Sequence, residues 1–151
     1  MDTAGGIGSG LRGGAPSVLV VEDNPADAYL VADELGRDGA FAVDVVPTLA
    51  DALAHLALRD VETVVLDLSL PDAERLEALE ELRQRFRALP IVVLTEHPHL
   101  VRDAIHLGAQ AYLRKSELGR IDLPELVRRA RERAIRGEEA LTWTLRDPLT
   151  G

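Results

Sequence analysis

Five short apolar runs punctuate this chain, and the spacing between them leaves room for a helix each time. They are Ser17-Val18-Leu19-Val20-Val21, Phe41-Ala42-Val43-Asp44-Val45-Val46, Thr63-Val64-Val65-Leu66, Ile91-Val92-Val93-Leu94 and Ala111-Tyr112-Leu113-Arg114. Runs this short and this rich in β-branched residues read as strands buried on both faces. The stretches between them carry helical punctuation. Asn24-Pro25 opens the first, with proline near the first helical position. Thr48 can cap the second, whose Leu49, Ala52, Leu53, Leu56 and Ala57 form an apolar stripe at helical spacing. The third carries Leu76, Leu79, Leu82 and Phe86 and stops before Pro90. The fourth carries Val101, Ala104 and Ile105 and ends at Gly108, a natural C-terminal cap. The fifth starts near Pro124, packs through Leu123, Leu126, Val127, Ala130 and Ala134, and runs on to about Arg146. Five strands alternating with five helices predict an α/β fold whose parallel sheet is covered on both faces. Sheets of this kind bind ligands at the carboxyl ends of their strands.

Four of the runs stop at polar residues of chemically distinct types. The first runs into Glu22-Asp23, the third into Asp67, the fourth into Thr95 and the last into Lys115. Of the 17 basic residues, Lys115 alone is lysine. A chain that otherwise uses arginine keeps one compact, mobile ammonium at a strand end, where a planar guanidinium would not serve. An acid pair, a carboxylate, a hydroxyl and an ammonium at one sheet edge make a site for a cation and a phosphoryl group. Singly, each has a plainer reading as a helix cap or a solvated side chain; the four together favour the site. His97 and His99 suggest a metal only weakly, since no third ligand is in view.

Bulk properties narrow the class. At 151 residues the chain supports one domain with a real core. It has no cysteine, which removes disulfide frameworks and thiolate metal sites. No apolar run approaches the roughly 20 residues of a membrane span. The opening Met1-Asp2-Thr3-Ala4-Gly5-Gly6 lacks the basic start and apolar core of a secretory signal, and the chain reads as cytoplasmic. A net charge of −9 argues against non-specific nucleic-acid binding. Residues 1–16 are glycine-rich and read as a flexible leader. Gly6-Ile7-Gly8-Ser9-Gly10 within them lacks the flanking strand and helix that a nucleotide loop needs.

With those residues in place, the chain resembles the receiver domain of two-component response regulators over about residues 17–136. The matching strings are Val20-Val21-Glu22-Asp23-Asn24-Pro25, Val65-Leu66-Asp67-Leu68-Ser69-Leu70-Pro71-Asp72, Val93-Leu94-Thr95 and Gly108-Ala109-Gln110-Ala111-Tyr112-Leu113-Arg114-Lys115. The resemblance implies a doubly wound five-stranded parallel sheet in the order 2-1-3-4-5. It implies that Asp67 takes a phosphoryl group from a phosphohistidine on a partner histidine kinase or phosphotransfer protein. Mg²⁺ would be held by Asp23 and Asp67 directly, by Glu22 through water and by the backbone carbonyl of Ser69. Lys115 and the Thr95 hydroxyl would contact the phosphoryl oxygens, and Tyr112 would be the switch aromatic that follows Thr95 inward. Three positions depart from the family. Ser116 stands where proline usually follows the lysine, which argues against a cis peptide there, since a cis bond to a non-proline residue costs about 2.5–4 kcal/mol. Arg75 stands where many members have glycine, and Glu96 where a small residue usually keeps the pocket open. These bear on rate and partner choice, and they keep a second reading alive: a pseudo-receiver that binds proteins without turning over phosphate. A phosphatase with an aspartyl nucleophile is disfavoured by Ser69, where a second acid would be needed for proton transfer.

The end of the chain predicts an extended last helix. Val127, Ala134 and Leu141 fall seven apart and offer a short seam for a homodimer, weakened by Gly137. Arg128, Arg129, Arg131, Arg133 and Arg136 make a basic face, better read as salt-bridged or partner-facing than as a nucleic-acid patch. The final Asp147-Pro148-Leu149-Thr150-Gly151 resembles the opening of GGDEF domains, the diguanylate cyclase family. On that reading 137–151 is a helical linker into an output domain, and this chain is the input module of a cyclic-di-GMP-producing parent rather than the enzyme.

Overall fold

The computed structural model describes residues 14–136. Most of the glycine-rich leader, the expected extension of the last helix to Leu141 and beyond, and the string at 147–151 lie outside the described residues.

Five strands and five helices alternate. β1 is Ser17–Val21, β2 Ala42–Val46, β3 Thr63–Asp67, β4 Ile91–Thr95 and β5 Ala111–Arg114. The helices are α1 (Pro25–Gly36), α2 (Leu49–Leu58), α3 (Glu77–Arg85), α4 (Val101–His106) and α5 (Leu123–Arg136). The sheet is parallel throughout, in the order β2-β1-β3-β4-β5, as the resemblance implied. β1 therefore has a neighbour on each side, and the strand order reverses there.

Alternate side chains of each strand enter different cores. Leu19, Val21, Val64, Leu66, Ile91 and Val93 pack against α2, α3 and α4. Val18, Val20, Val65, Val92 and Leu94 pack against α1 and α5 through Val31, Leu35, Leu126 and Val127. Both faces of the central strands are apolar because both are covered, so the runs lack the alternation of a half-exposed strand. Truncating a fully buried leucine such as Leu66 to alanine costs about 2–5 kcal/mol in sites of this kind.

The helix starts follow their caps. Asn24 Oδ1 accepts from the Asp27 N–H at 3.0 Å and Thr48 Oγ1 from the Asp51 N–H at 3.0 Å. Some boundaries differ from expectation. β2 begins at Ala42, because the Phe41 N–H goes back to the Leu35 carbonyl at 3.1 Å. α3 begins after Leu76, where Glu77 Oε1 accepts from the Glu74 N–H at 2.8 Å. α4 is short and is preceded by a 3₁₀ turn over Pro98–Leu100. Gly108 ends it with φ +106°, as a C-terminal cap should. No helix among the described residues is long and apolar enough to cross a membrane.

Candidate functional site

Strand register brings the polar termini together. Val21 pairs with Leu66, so Glu22 and Asp67 leave β1 and β3 at the same level. Asp67 pairs with Leu94, and Thr95 with Arg114, so Thr95 and Lys115 follow one step further along. The edge so formed lies over the point where strand order reverses, where doubly wound sheets open a crevice.

Asp67 and Thr95 are fully buried, and Glu22 is 2% exposed. Lys115 reaches in between the acids. Its Nζ lies 3.0 Å from Glu22 Oε1, 3.2 Å from Asp67 Oδ2 and 3.1 Å from Asp27 Oδ2. The remaining carboxylate oxygens are held by the backbone: Glu22 Oε2 accepts from the Asn24 N–H at 3.1 Å, and Asp67 Oδ1 from the Ser69 N–H at 3.0 Å. Burial, followed by the neighbouring Asp67, pushes the Glu22 carboxyl up to about 7, against the opposing pull of the Asn24 N–H and Lys115. Burial alone would lower the Lys115 ammonium; its contacts with Glu22, Asp67 and Asp27 outweigh that and raise it above its ordinary value.

Glu22, exposed Asp23 and Asp67 each offer an oxygen, and these oxygens lie within 4.8 Å of one another. The sealed oxygens Glu22 Oε1 and Asp67 Oδ2 face Lys115 without accepting a hydrogen bond of ordinary geometry. Hard oxygen donors with acceptor capacity left over suit Mg²⁺, which keeps several of its waters. This is the one such cluster among the described residues; His97 and His99 meet edge to face, with centroids 5.6 Å apart, and gather no third ligand.

The other anticipated residues fall into two groups. Thr95 Oγ1 accepts from the His97 N–H at 2.9 Å, which leaves its own proton to be directed elsewhere. Tyr112 is buried at 7% exposure in the core beneath α2, α3 and α4, more enclosed than a half-buried strand tyrosine. Arg75 adopts φ +49°, the left-handed conformation that glycine takes without cost and an arginine only with strain. Glu96 is exposed beside the site. The chain passes Ser116 in a 3₁₀ turn over Lys115–Glu117, and no peptide bond among the described residues is cis.

Asp27 did not emerge from the sequence as a site residue. The available signal was its place in the first turn of α1, four residues after Asp23, where a helix entry points back at the strand ends. Of the basic face on α5, Arg128 and Arg129 pair with Glu125, and Arg131 with Glu62 at 2.8 Å, which agrees with a salt-bridged helix.

Comparisons with known proteins converge on one family. A family model described as the response regulator receiver domain matches residues 18–130. The acid tolerance regulatory protein ActR of Rhizobium meliloti (strain 1021) is 31% identical over 125 residues, which cover 82% of this chain and 64% of ActR. The KDP operon transcriptional regulatory protein KdpE of Escherichia coli (strain K12) is 35% identical over 102 residues, covering 66% of this chain and 44% of KdpE. The chain thus spans less than two thirds of the length of these relatives. Among solved structures, a sensor protein from Polaromonas sp. JS666 matches with a TM-score of 0.66 at 31% identity, over 81% of this chain and 97% of that one. The response regulator protein TrrA of Thermotoga maritima, in complex with Mg(2+)-BeF, matches with a TM-score of 0.67 at 28% identity, over 76% of this chain and 98% of that one. A family match of that extent, on a sheet of this order, means that the chain belongs to the response regulator receiver domain family.

Proposed function

We propose that residues 17–136 form a phosphorylatable receiver, with Asp67 accepting a phosphoryl group from a histidine kinase or phosphotransfer protein. The observation that carries this reading is a fully buried carboxylate at a strand end, 3.2 Å from the only lysine and within reach of two further acids. An Asp67 oxygen attacks phosphorus, the P–N bond to the donor imidazole breaks, and the imidazole leaves with the bonding pair. Asp23, Asp67, Glu22 and the Ser69 carbonyl are the groups that would hold Mg²⁺. Bound there, Mg²⁺ supplies the positive charge that lets a carboxylate and a phosphoryl group approach. Lys115 exchanges Asp67 for a phosphoryl oxygen, and the Thr95 hydroxyl donates to another. Tyr112 then follows Thr95 and carries the change toward α4 and α5. The Mg(2+)-BeF complex of TrrA supports the reading by resemblance.

The second reading, a pseudo-receiver, rests on Glu96, Arg75 and Ser116, the three positions that depart from the family pattern. For the output, the string at 147–151 points to cyclic-di-GMP synthesis, but KdpE is named a transcriptional regulator and ActR a regulatory protein, and neither name mentions a cyclase. Assaying the native protein for conversion of GTP to cyclic-di-GMP and for sequence-specific DNA binding discriminates between these outputs. The function itself is tested with acetyl phosphate and Mg²⁺. Intact mass should show one added phosphoryl group, and Asp67→Asn should abolish it. Modification persisting in Asp67→Asn moves the nucleophile elsewhere; a wild type that no donor modifies favours the pseudo-receiver.

A further inference from the structure

We propose that Asp27 is a positioning residue for phosphoryl transfer, holding Lys115 in the pocket while the ammonium changes partners; this rests on the receiver reading above. An ammonium has three protons, and here three carboxylates face it at 3.0–3.2 Å. Two of them, Glu22 and Asp67, also belong to the cluster that can share a cation, and Asp67 is the carboxylate that is modified. Both must change what they contact during the reaction. Asp27 is absent from that cluster and meets the site through its bond with Lys115. It is the one partner of Lys115 that can remain in place.

Its placement suits that role. The Asp27 N–H is bonded to Asn24 Oδ1 in the first turn of α1, and α1 is anchored in the core by Ala28, Val31 and Leu35. A carboxylate on a packed helix is held more tightly than one on a loop. Its side chain is 28% exposed and that of Lys115 16%, so this pair is less screened than an ordinary surface salt bridge. Without Asp27, a lysine whose other two acceptors are engaged elsewhere has nothing to keep it beside the incoming phosphoryl group.

The test compares wild type, Asp27→Asn and Asp27→Glu in the full chain with Mg²⁺ present. Two rates are read: addition of a phosphoryl group from acetyl phosphate, and modification of Lys115 by an amine-reactive ester. Lys115 is the only lysine, so a single peptide reports its reactivity. Asp27→Asn should slow phosphorylation about tenfold, the equivalent of one weakened charge-assisted hydrogen bond, and should raise amine reactivity severalfold. Asp27→Glu, which restores the charge, should recover most of both. A wild-type phosphorylation rate in Asp27→Asn overturns the proposal, whether or not the amine becomes more reactive. Equal slowing in Asp27→Glu also overturns it, because the cause would then be local structure rather than charge. If wild type itself takes up no phosphoryl group, the receiver reading fails instead, and the amine arm still reports whether Asp27 holds the lysine.

Discussion

Lys115 faces Glu22, Asp27 and Asp67, while Asp23 lies at the mouth of the same pocket, so acids outnumber the base around a largely buried site. One ammonium cannot balance that many carboxylates, and burial makes the residual repulsion matter more than it would in water. Burial is the main cause of the upward push on Glu22, and the neighbouring Asp67 adds to it. A divalent cation bound at the acids should therefore stabilise the folded chain. At a concentration of about 100 times its dissociation constant, Mg²⁺ should add about 2.7 kcal/mol. Thermal melts across a Mg²⁺ titration should show the midpoint rising in wild type and staying nearly flat in Asp23→Ala. Parallel rises in the two proteins would place the cation somewhere other than this pocket.

At the level of elements, the loop after β3 does more than carry the site. Asp72 in that loop accepts from the Leu49 and Ala50 N–H groups at 2.9 and 3.0 Å, so it closes the start of α2 from outside the helix. Those two donors hold its carboxyl below its ordinary 3.8. A depressed carboxyl stabilises the fold above its unfolded value, and that contribution is lost as pH falls through the folded value. Asp72→Ala should cost about 1 kcal/mol at pH 7, in the range of lost helix caps, and the difference from wild type should shrink below about pH 4. Chemical denaturation at pH 7 and pH 3 reads this. A gap that widens in acid would contradict the assignment. A second tie is Arg83, which donates to the carbonyls of Phe86, Arg87 and Gly108 and fastens the end of α3 to the turn before β5. A Cβ on Gly108 would come within 2.7 Å of Arg83 Nε and force that side chain to shift, and the φ of +106° strains any other residue there.

For the molecule as a whole, the question is whether a change at Asp67, the proposed phosphoacceptor, reaches α5. Thr95 ends β4, Tyr112 lies on β5, and α5 packs on the opposite face through Leu126 and Val127. On the proposed reading, a shift of Thr95 toward a phosphoryl oxygen would load β4 and β5, whose side chains enter both cores. Hydrogen exchange should change on phosphorylation at Tyr112 and in residues 124–136 of wild type. In Lys115→Arg the fold should persist and Asp67 should still be modified slowly, but the distant response should weaken, because a guanidinium is the wrong shape for a pocket shared with a cation. Equal responses in the two proteins would mean that the lone lysine plays no part in coupling.

The local pattern of residues was enough to locate the strands, the helices among the described residues, the parallel sheet and the polar strand ends that share one edge. Each of those rests on chemistry readable within a few positions: β-branched runs bounded by Asp67, Thr95 or Lys115, and caps such as Asn24 and Thr48. Which strand lies beside which came from the family resemblance rather than from the runs themselves. Asp27 on Lys115, Asp72 on α2 and Arg83 across two loops were decided only in three dimensions. Those contacts join positions 88, 23 and 25 residues apart, and no local periodicity encodes a partner at that distance. The burial that raises Glu22 is also a property of the assembled edge, because the same acid beside Asp23 in an open chain would be solvated.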